Sequence, residues 1–486
     1  MFIKDRIGAG APIFIYFDTM ENKEKIVLPK GFEEMVRGVI GDGEWDAFVE
    51  ALSDEPSVSV RINAQCTMHN AQLDNGQQAA VKWCEWGRYL AERPKFTYDP
   101  TFHAGAYYVQ EASSMFVWQA LEQYVEKDAV VLDMCAAPGG KSTAIAQYLS
   151  KDGFLVSNEY VSQRAHVLVE NITKWGAPNC LVTNNAPRHF EKLKVKFDAI
   201  LVDAPCSGEG MFRKDERARE EWSPANVEMC VERQREILES AWEVLTPGGV
   251  LIYSTCTFNT HENEEQVQWL IDEMEAEYLP IKIGEDWMIT ETERGYRFLP
   301  HKTRGEGLFL AVVRKPRQIA DYRLQITDDR LQSKSEKRGK NKKSIVNNQR
   351  SMVDVRVADL LEGDFVVMEC EGRYYAVQNS RVDLVTECRK MLNVLAFGVQ
   401  IFEQKGKDLI PQASLAMSQA YKRGAYPEVE LSYEEAISFL RKEAIVLADA
   451  PRGFVLVTYN GLPLGWVKNI GNRCNNLYPE FWRIRN

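Results

Sequence analysis

Apolar positions recur every three to four residues over Phe32, Met35, Val36, Val39 and Ile40, and again over Trp45, Phe48, Val49 and Leu52. That spacing predicts two short helices, separated by the break Gly41-Asp42-Gly43. The period then falls to two across Ser57-Val58-Ser59-Val60-Arg61-Ile62-Asn63, which predicts a strand. Tyr89 to Ala106 is rich in Pro, Gly and aromatic residues and reads as a loop leading into a new domain. These elements predict a small α/β module over residues 20–105. The apolar stretch at 13–17 is bracketed by Asp5 and Asp18 with no small-residue cleavage site after it, so it makes a poor signal peptide. Residues 1–19 are expected to be a disordered extension.

Between 106 and 315 strand-like runs alternate with helical ones: Ala129–Leu132, Leu155–Ser157, Cys180–Thr183, Ala199–Val202, Val250–Tyr253 and Gly307–Val313. Such alternation predicts an α/β domain with a parallel sheet and crossover helices. From Ser333 to Arg350 lysine and arginine dominate and little is apolar, so 316–350 is expected to be a basic flexible linker. A connecting α/β region is placed at 351–425. The last segment, 426–486, carries Phe454-Val455-Leu456-Val457-Thr458-Tyr459, the turn Asn460-Gly461, and Leu464-Gly465-Trp466-Val467, the pattern of a hairpin.

Composition narrows the classes. At 486 residues the chain exceeds one ordinary core, and no apolar run approaches the ~18 residues of a membrane span. The net charge of −11 does not announce a nucleic-acid binder, so any such surface is a local basic patch. Ten cysteines without a C-x-x-C pair or a histidine cluster point to neither a disulfide framework nor a metal site, and a reducing cytoplasm fits them.

Two elements carry candidate chemistry. A strand ending at Asp133 runs into Met134-Cys135-Ala136-Ala137-Pro138-Gly139-Gly140-Lys141-Ser142. Small residues there let the backbone approach a ligand, and the following helix offers free N–H groups to an anion. Glu159 ends the next strand, where an acid in this fold class accepts hydrogen bonds from ribose hydroxyls, so an adenosine-bearing ligand is expected. Gly140-Lys141-Ser142 with Ile200-Leu201-Val202-Asp203 also matches parts of a P-loop NTPase, although Cys135 occupies the position of the first Walker glycine. The second element is a pair of strand-end thiols, Asp203-Ala204-Pro205-Cys206 and Ser254-Thr255-Cys256-Thr257. Carbon 5 of cytosine is a weak nucleophile until a thiolate adds at carbon 6, and an acid such as Asp203 suits the ring's N3 and amino edge. Strand ends in a doubly wound sheet converge, so Cys206, Cys256, Asp203 and the 135–141 turn are expected to share one crevice. The residues alone leave open which thiol attacks.

The segments MCAAPGGKST, LVDAPCSGEG and YSTCTFNTHENE resemble those of the NOL1/NOP2/Sun RNA cytosine-5 methyltransferases, most of all the members acting on bacterial 16S rRNA. The likeness runs from YYVQEASSM (107–115) to GLFLAVVRK (307–315) and resumes in VLVTYNGLPLGWVKNIGNRCNNLYP. It implies a Rossmann-like domain binding S-adenosylmethionine through Cys135, Ala136, Ala137, Pro138, Gly139, Gly140 and Lys141, with Glu159 on the ribose and Asp203 between cofactor and base. It further implies Cys256 as nucleophile and Cys206 as the aid to product release, although in DNA cytosine-5 methyltransferases the Pro-Cys thiol attacks. A PUA-like RNA-binding domain at 426–486 and a cytoplasmic monomer acting on ribosomal RNA or the small subunit complete what it implies. Another RNA such as tRNA, or a non-catalytic ribosome-assembly role, are the alternatives. The family's acid after the third strand falls at Ala186, which leaves the adenine contact to Asn184, Asn185 or backbone groups. Arg213 and Lys214 are candidate phosphate contacts beside the crevice. So are Lys468, Arg473, Arg483 and Arg485, interleaved with Trp466, Tyr478, Phe481 and Trp482, for which core packing is the competing role.

Overall fold

The computed structural model describes residues 26–66, 79–317 and 356–485. The expected extension at 1–19 and the lysine-rich segment 333–350 lie outside them. The alternating run after the two helices is β1 (Val58–Ile62), which pairs antiparallel with β2 (Gly87–Leu90) on one side and β3 (Tyr107–Val109) on the other. Both flanking strands depart from the sequence reading. β2 ends inside the stretch expected to be a loop, and β3 lies beyond residue 105, where the module was expected to end. The helices Phe32–Ile40 and Trp45–Leu52 form as their spacing predicts. Their apolar faces pack with Phe212, Trp222 and Phe258 of the central domain.

The central sheet is built on five parallel strands, β4 (Val130–Asp133), β5 (Phe154–Asn158), β6 (Cys180–Thr183), β7 (Phe197–Asp203) and β8 (Leu245–Thr255), in the order β8-β7-β4-β5-β6. The chain winds outward from β4 to β6 and then returns to β7 on the other side. The carboxyl ends of β4 and β7 therefore flank the topological switch point, where such sheets hold ligands. Crossover helices Gly140–Tyr148, Ser162–Trp175 and Pro224–Val244 separate these strands.

The sixth predicted strand, Leu308–Arg314, forms but runs antiparallel to β8 instead of parallel. After β8 the chain passes through the helix Glu264–Met274 and a hairpin, Thr290–Thr292 with Gly295–Phe298. It re-enters at the carboxyl end of β8, Phe309 opposite Thr255, so the strand must run backward. The far edge carries a second surprise: Val394–Phe397, from the region expected to be a separate connector, pairs antiparallel with β6 and covers its exposed backbone groups. Asn185 fastens this junction, its side chain bonding both the N–H and the C=O of Asn393 at 3.1 and 3.2 Å.

In the last segment the predicted hairpin forms between Gly453–Tyr459 and Leu462–Asn469. Asn460 (φ 49) and Gly461 (φ 70) both occupy the left-handed region that a tight hairpin turn requires. This unit is not a loose appendage. Val60, Leu90 and Tyr107 of the first module share one apolar cluster with Leu440, Val455, Leu464 and Tyr478.

Arg213 is the clearest correction to the sequence reading. Instead of facing RNA, its guanidinium is buried and donates from Nε to Glu306 at 2.8 Å and from its other nitrogens to the carbonyls of Ala51 and Gly305. Lys214 turns to the same carboxylate, at 3.3 Å. Arg213 thereby ties the first module to the segment that leads into the edge strand. Arg213→Ala leaves the buried Glu306 short of its main partner and is expected to cost about 3–5 kcal/mol. Chemical denaturation measures that loss, and a variant as stable as the parent with weakened RNA binding would restore the phosphate-contact reading.

Candidate active site

The turn after β4 owes its shape to small residues. Gly139 adopts φ +118, and a Cβ there would come 3.2 Å from Leu168. The carbonyls of the turn are occupied: Arg164 donates to that of Ala137 (2.6 Å), Asn171 to that of Pro138 (2.8 Å) and Thr143 Oγ1 to that of Gly139 (2.8 Å). The amide of Ala136 is held by the carbonyl of Asn158 on β5. With its outer face fixed, the turn directs the unbonded N–H groups of the next helix's first turn into the crevice.

Asp133, at the end of β4, is fully buried and accepts from Ser142 Oγ at 2.6 Å. Burial pushes its carboxyl up to about 7. Glu159 is buried at the end of β5, accepting from the Val161 N–H at 2.8 Å with Arg164 at 3.4 Å. Cys135 is half-buried between them, its thiol pushed up by burial and by the surrounding carboxylates.

On the other side of the switch point Asp203 ends β7. Its Oδ2 lies 2.8 Å from Lys141 Nζ and its Oδ1 accepts from Ser254 Oγ at 2.7 Å. The two thiols lie side by side, with 3.2 Å between Cys206 Sγ and Cys256 Sγ. Burial pulls the Lys141 ammonium down, but Asp203, Cys256 and Asp133 together raise it above its usual value. The Cys256 sulfur therefore lies within electrostatic reach of the Lys141–Asp203 pair. Cys206 is held well above the ordinary thiol range, first by its hydrogen bond with Cys256 and then by burial. The predicted residues of the thiol strands and of the 135–141 turn thus meet at one end of the sheet.

Three comparisons bear on this arrangement. A family model described as 16S rRNA methyltransferase RsmB/F matches residues 120–314. Models for the N-terminal domain of 16S rRNA methyltransferase RsmF and for the methyltransferase RsmF PUA domain match 28–112 and 426–484. Ribosomal RNA small subunit methyltransferase F of Shewanella sp. (strain ANA-3) is 32% identical over 459 residues, covering 90% of this chain and 92% of its own length. The chain belongs to the RsmF family of 16S rRNA methyltransferases. The same-named protein of Vibrio campbellii is 29% identical over 94% of this chain and 97% of its own length. A solved methyltransferase homolog from Pyrococcus horikoshii is 30% identical, with TM-score 0.51, over 58% of this chain and 94% of that one. As a member the chain is an RNA methyltransferase with a Rossmann-like catalytic domain and a C-terminal PUA domain, and membership sets aside the P-loop NTPase reading. Among the described residues no helix is long and apolar enough to cross a membrane, and no group of histidine, cysteine and acidic side chains is arranged to hold a metal.

Around Ala186, where the resemblance implies an acid, the neighbouring asparagines are largely spent on structure. Asn185 binds Asn393, as above, and the Asn184 amide nitrogen donates to the carbonyls of Glu159 and Tyr160 at 2.7 and 2.8 Å. Of the C-terminal aromatics, Trp466 and Tyr478 are core residues and Trp482 packs partly buried beside Lys174, whereas Phe481 is 88% exposed. Lys468 pairs with Asp408 and Arg483 with Glu480, both at 2.8 Å. The reading missed Glu209, Asn259 and Glu262, which are buried beneath the thiol loops. Their signal was two acids in glycine- and asparagine-rich loops with no apolar period to explain them.

Asp133 gives a stability prediction. Its folded value of about 7 lies above the ordinary 3.8, so the folded chain holds a proton that the unfolded chain releases within that window. Stability therefore falls as pH rises from about 4 to about 7. Asp133→Asn should flatten that fall, by on the order of a few kcal/mol, in urea midpoints compared at pH 5 and pH 8. Equal slopes in the two proteins would show that Asp133 is ionised throughout.

Proposed function

We propose that the chain methylates carbon 5 of a cytosine in 16S rRNA, with S-adenosylmethionine as methyl donor and Cys256 as the covalent nucleophile. The observation that carries this reading is the 3.2 Å thiol pair beside the Lys141–Asp203 ion pair at the switch point of the sheet. The residues of the turn fit S-adenosylmethionine. Gly139 leaves room for a close backbone approach, the helix N-terminus suits a carboxylate, and Glu159 has acceptor capacity left for ribose hydroxyls. When bound, the cofactor supplies an electrophilic methyl group.

The chain's own residues do the rest. The Cys256 sulfur adds to carbon 6 of the cytosine and places electron density on carbon 5. As the sulfur adds, the thiol's proton passes to the ring's N3 by way of Asp203, which Lys141 and Ser254 hold in place and which also accepts from the ring's amino group, and that proton returns when the sulfur leaves. After carbon 5 is methylated its proton leaves to water, the C5–C6 double bond re-forms and the sulfur–carbon electron pair returns to Cys256. The Cys206 thiol, in contact with Cys256, donates a hydrogen bond to the departing sulfur. Only a flipped-out or single-stranded cytosine reaches such a site. The retained thiol pair and ion pair weigh against a non-catalytic assembly factor.

Cys256→Ala is expected to lower methyl transfer by on the order of 10³-fold or more and to form no protein–RNA adduct. Cys206→Ala should accumulate an adduct that survives denaturing gel electrophoresis, because departure of the sulfur is slowed. The opposite pattern would exchange the roles. Bisulfite mapping of 16S rRNA from cells with and without the gene identifies the base, and an unchanged cytosine map would remove the cytosine-5 assignment.

A further inference from the structure

Beneath the two thiols lies a buried polar cluster that the reaction above does not use. Glu209 follows Cys206 by three residues, yet its carboxylate serves the other loop: Oε2 accepts from the N–H groups of Phe258 (2.6 Å) and Asn259 (3.0 Å), and Oε1 from Asn259 Nδ2 (2.9 Å) and Trp222 Nε1 (3.0 Å). Glu262, six residues past Cys256, reaches back the opposite way. Its Oε2 accepts from the N–H of Ser207 (2.9 Å) and Gln234 Nε2 (2.8 Å), and its Oε1 from Asn259 Nδ2 (2.8 Å). Both acids are completely buried, and every one of these partners is a neutral N–H donor. Burial pushes the Glu262 carboxyl up, and the donors from Ser207 and Asn259 favour its ionised form against that cost.

The charges are distributed unevenly around the two sulfurs. The Cys206 thiol is held up first by its hydrogen bond with Cys256 and by burial, and Glu262, which binds the backbone amide next to it, adds to that, whereas the Lys141 ammonium interacts with Cys256. The other titratable groups facing this corner are the Tyr253 phenol, itself hydrogen-bonded to Gln234 and to the Glu262 carbonyl, the buried Cys230 thiol, and Asp203 in its pair with Lys141. We propose that Glu262 is a positioning residue that, locked in the Glu209–Asn259–Glu262 brace against the amide next to Cys206, makes the two adjacent sulfurs unequal and so decides which of them serves as nucleophile. The arrangement answers what the sequence leaves open: two neighbouring cysteines are made unequal by what lies behind each of them.

The proposal deepens the thiol assignments above and rests on them, but its test needs neither RNA nor methyl donor, so the two readings fail separately. The full-length protein is treated with iodoacetamide over pH 6–10, and initial alkylation of each cysteine is followed by peptide mass spectrometry. In the parent Cys256 is expected to react first, and reaction at Cys206 first overturns the proposal without any variant. Glu262→Gln removes the charge, so the Cys206 profile should move to lower pH and its rate at pH 8 rise several-fold. Glu262→Asp keeps the charge on a shorter stem and should hold Cys206 near the parent rate. An unchanged Cys206 in Glu262→Gln overturns the proposal. So does an equal rise in both variants, which would mean that the loop has merely loosened, and labelling of buried Cys84 and Cys180 reports general unfolding. If Glu262→Gln does not fold, a several-fold rise at Cys206 alone in Glu262→Asp counts against it.

Discussion

The register between β7 and β8 is the constraint from which the site follows. Asp203 stands opposite Ser254 in a parallel pair, so both strands end at one level and the chain leaves each of them beside the other. The Ser254 hydroxyl then bonds Asp203 while its carbonyl accepts from the Ala204 N–H at 2.8 Å. Three residues beyond Asp203 and two beyond Ser254, the thiols meet. A slip of one residue would turn one strand's side chains to the opposite face and separate Asp203 from Ser254 and each sulfur from its neighbour. Because β4 lies on the other flank of β7, the same register sets Lys141, on the turn after β4, against Asp203.

Strand ends alone do not hold two loops at sulfur contact distance. The loops are stitched directly by Gly210 N–H to the Cys256 carbonyl at 2.8 Å and by the Ser207 and Thr257 hydroxyls at 3.1 Å. A Cβ on Gly210 would come within 2.8 Å of the Cys256 carbonyl, so only glycine permits this approach. Behind the stitches two aromatic contacts carry support from the first module. Phe32 packs on Phe212 and Phe48 on Phe258, each with ring centres 5.1 Å apart. The amphipathic helices at the start of the chain are thereby the backing of the thiol loops, which explains why a module distant in sequence accompanies this catalytic domain.

What was legible in the sequence is what local periodicity dictates. The two opening helices, β1, the five parallel strands and the terminal hairpin each carry a run long enough for its period to be read, and the turn and thiol segments carry distinctive residues. What stayed hidden depends on pairing across long sequence distances. Tyr107–Val109 is only three residues, a strand because β1 needs a partner. Val394–Phe397 looks like any short apolar run until the edge of β6 claims it. Arg213 sits in a loop of exposed composition and is buried only because Ala51 and the Gly305-Glu306 pair converge on it from two other segments. Trp466 and Tyr478 alternate with cations as an RNA-binding surface would, yet Tyr478 is taken inward by the shared core of the first and last modules and Trp466 by a second core with Tyr374, Ile401 and Leu415.

The same long-range logic explains Arg61, which the alternation of β1 places on the polar face with Ser59 and Asn63, opposite Val58, Val60 and Ile62. Its guanidinium is completely buried, stacked 4.5 Å from the centre of the Trp175 ring, and bonded to Gln110 (2.8 Å), Gln147 (3.0 Å), Thr143 Oγ1 (2.5 Å) and the Gly140 carbonyl (3.2 Å). All of these acceptors are neutral. Burial lowers its pKa to about 10, which still leaves the cation charged at neutral pH. A buried charge facing only dipoles is costly, and it lies where a helix N-terminus already concentrates positive potential. Those two effects oppose the fold locally, but they act in the same direction on anything anionic that approaches the turn from the crevice. Arg61 also fixes the first helical turn to β1, so the turn's outward amides are aimed by a strand of another module. The strain of an unpaired cation is thus offset by core packing of the first module, while its field falls on the one face of the turn left open to a ligand.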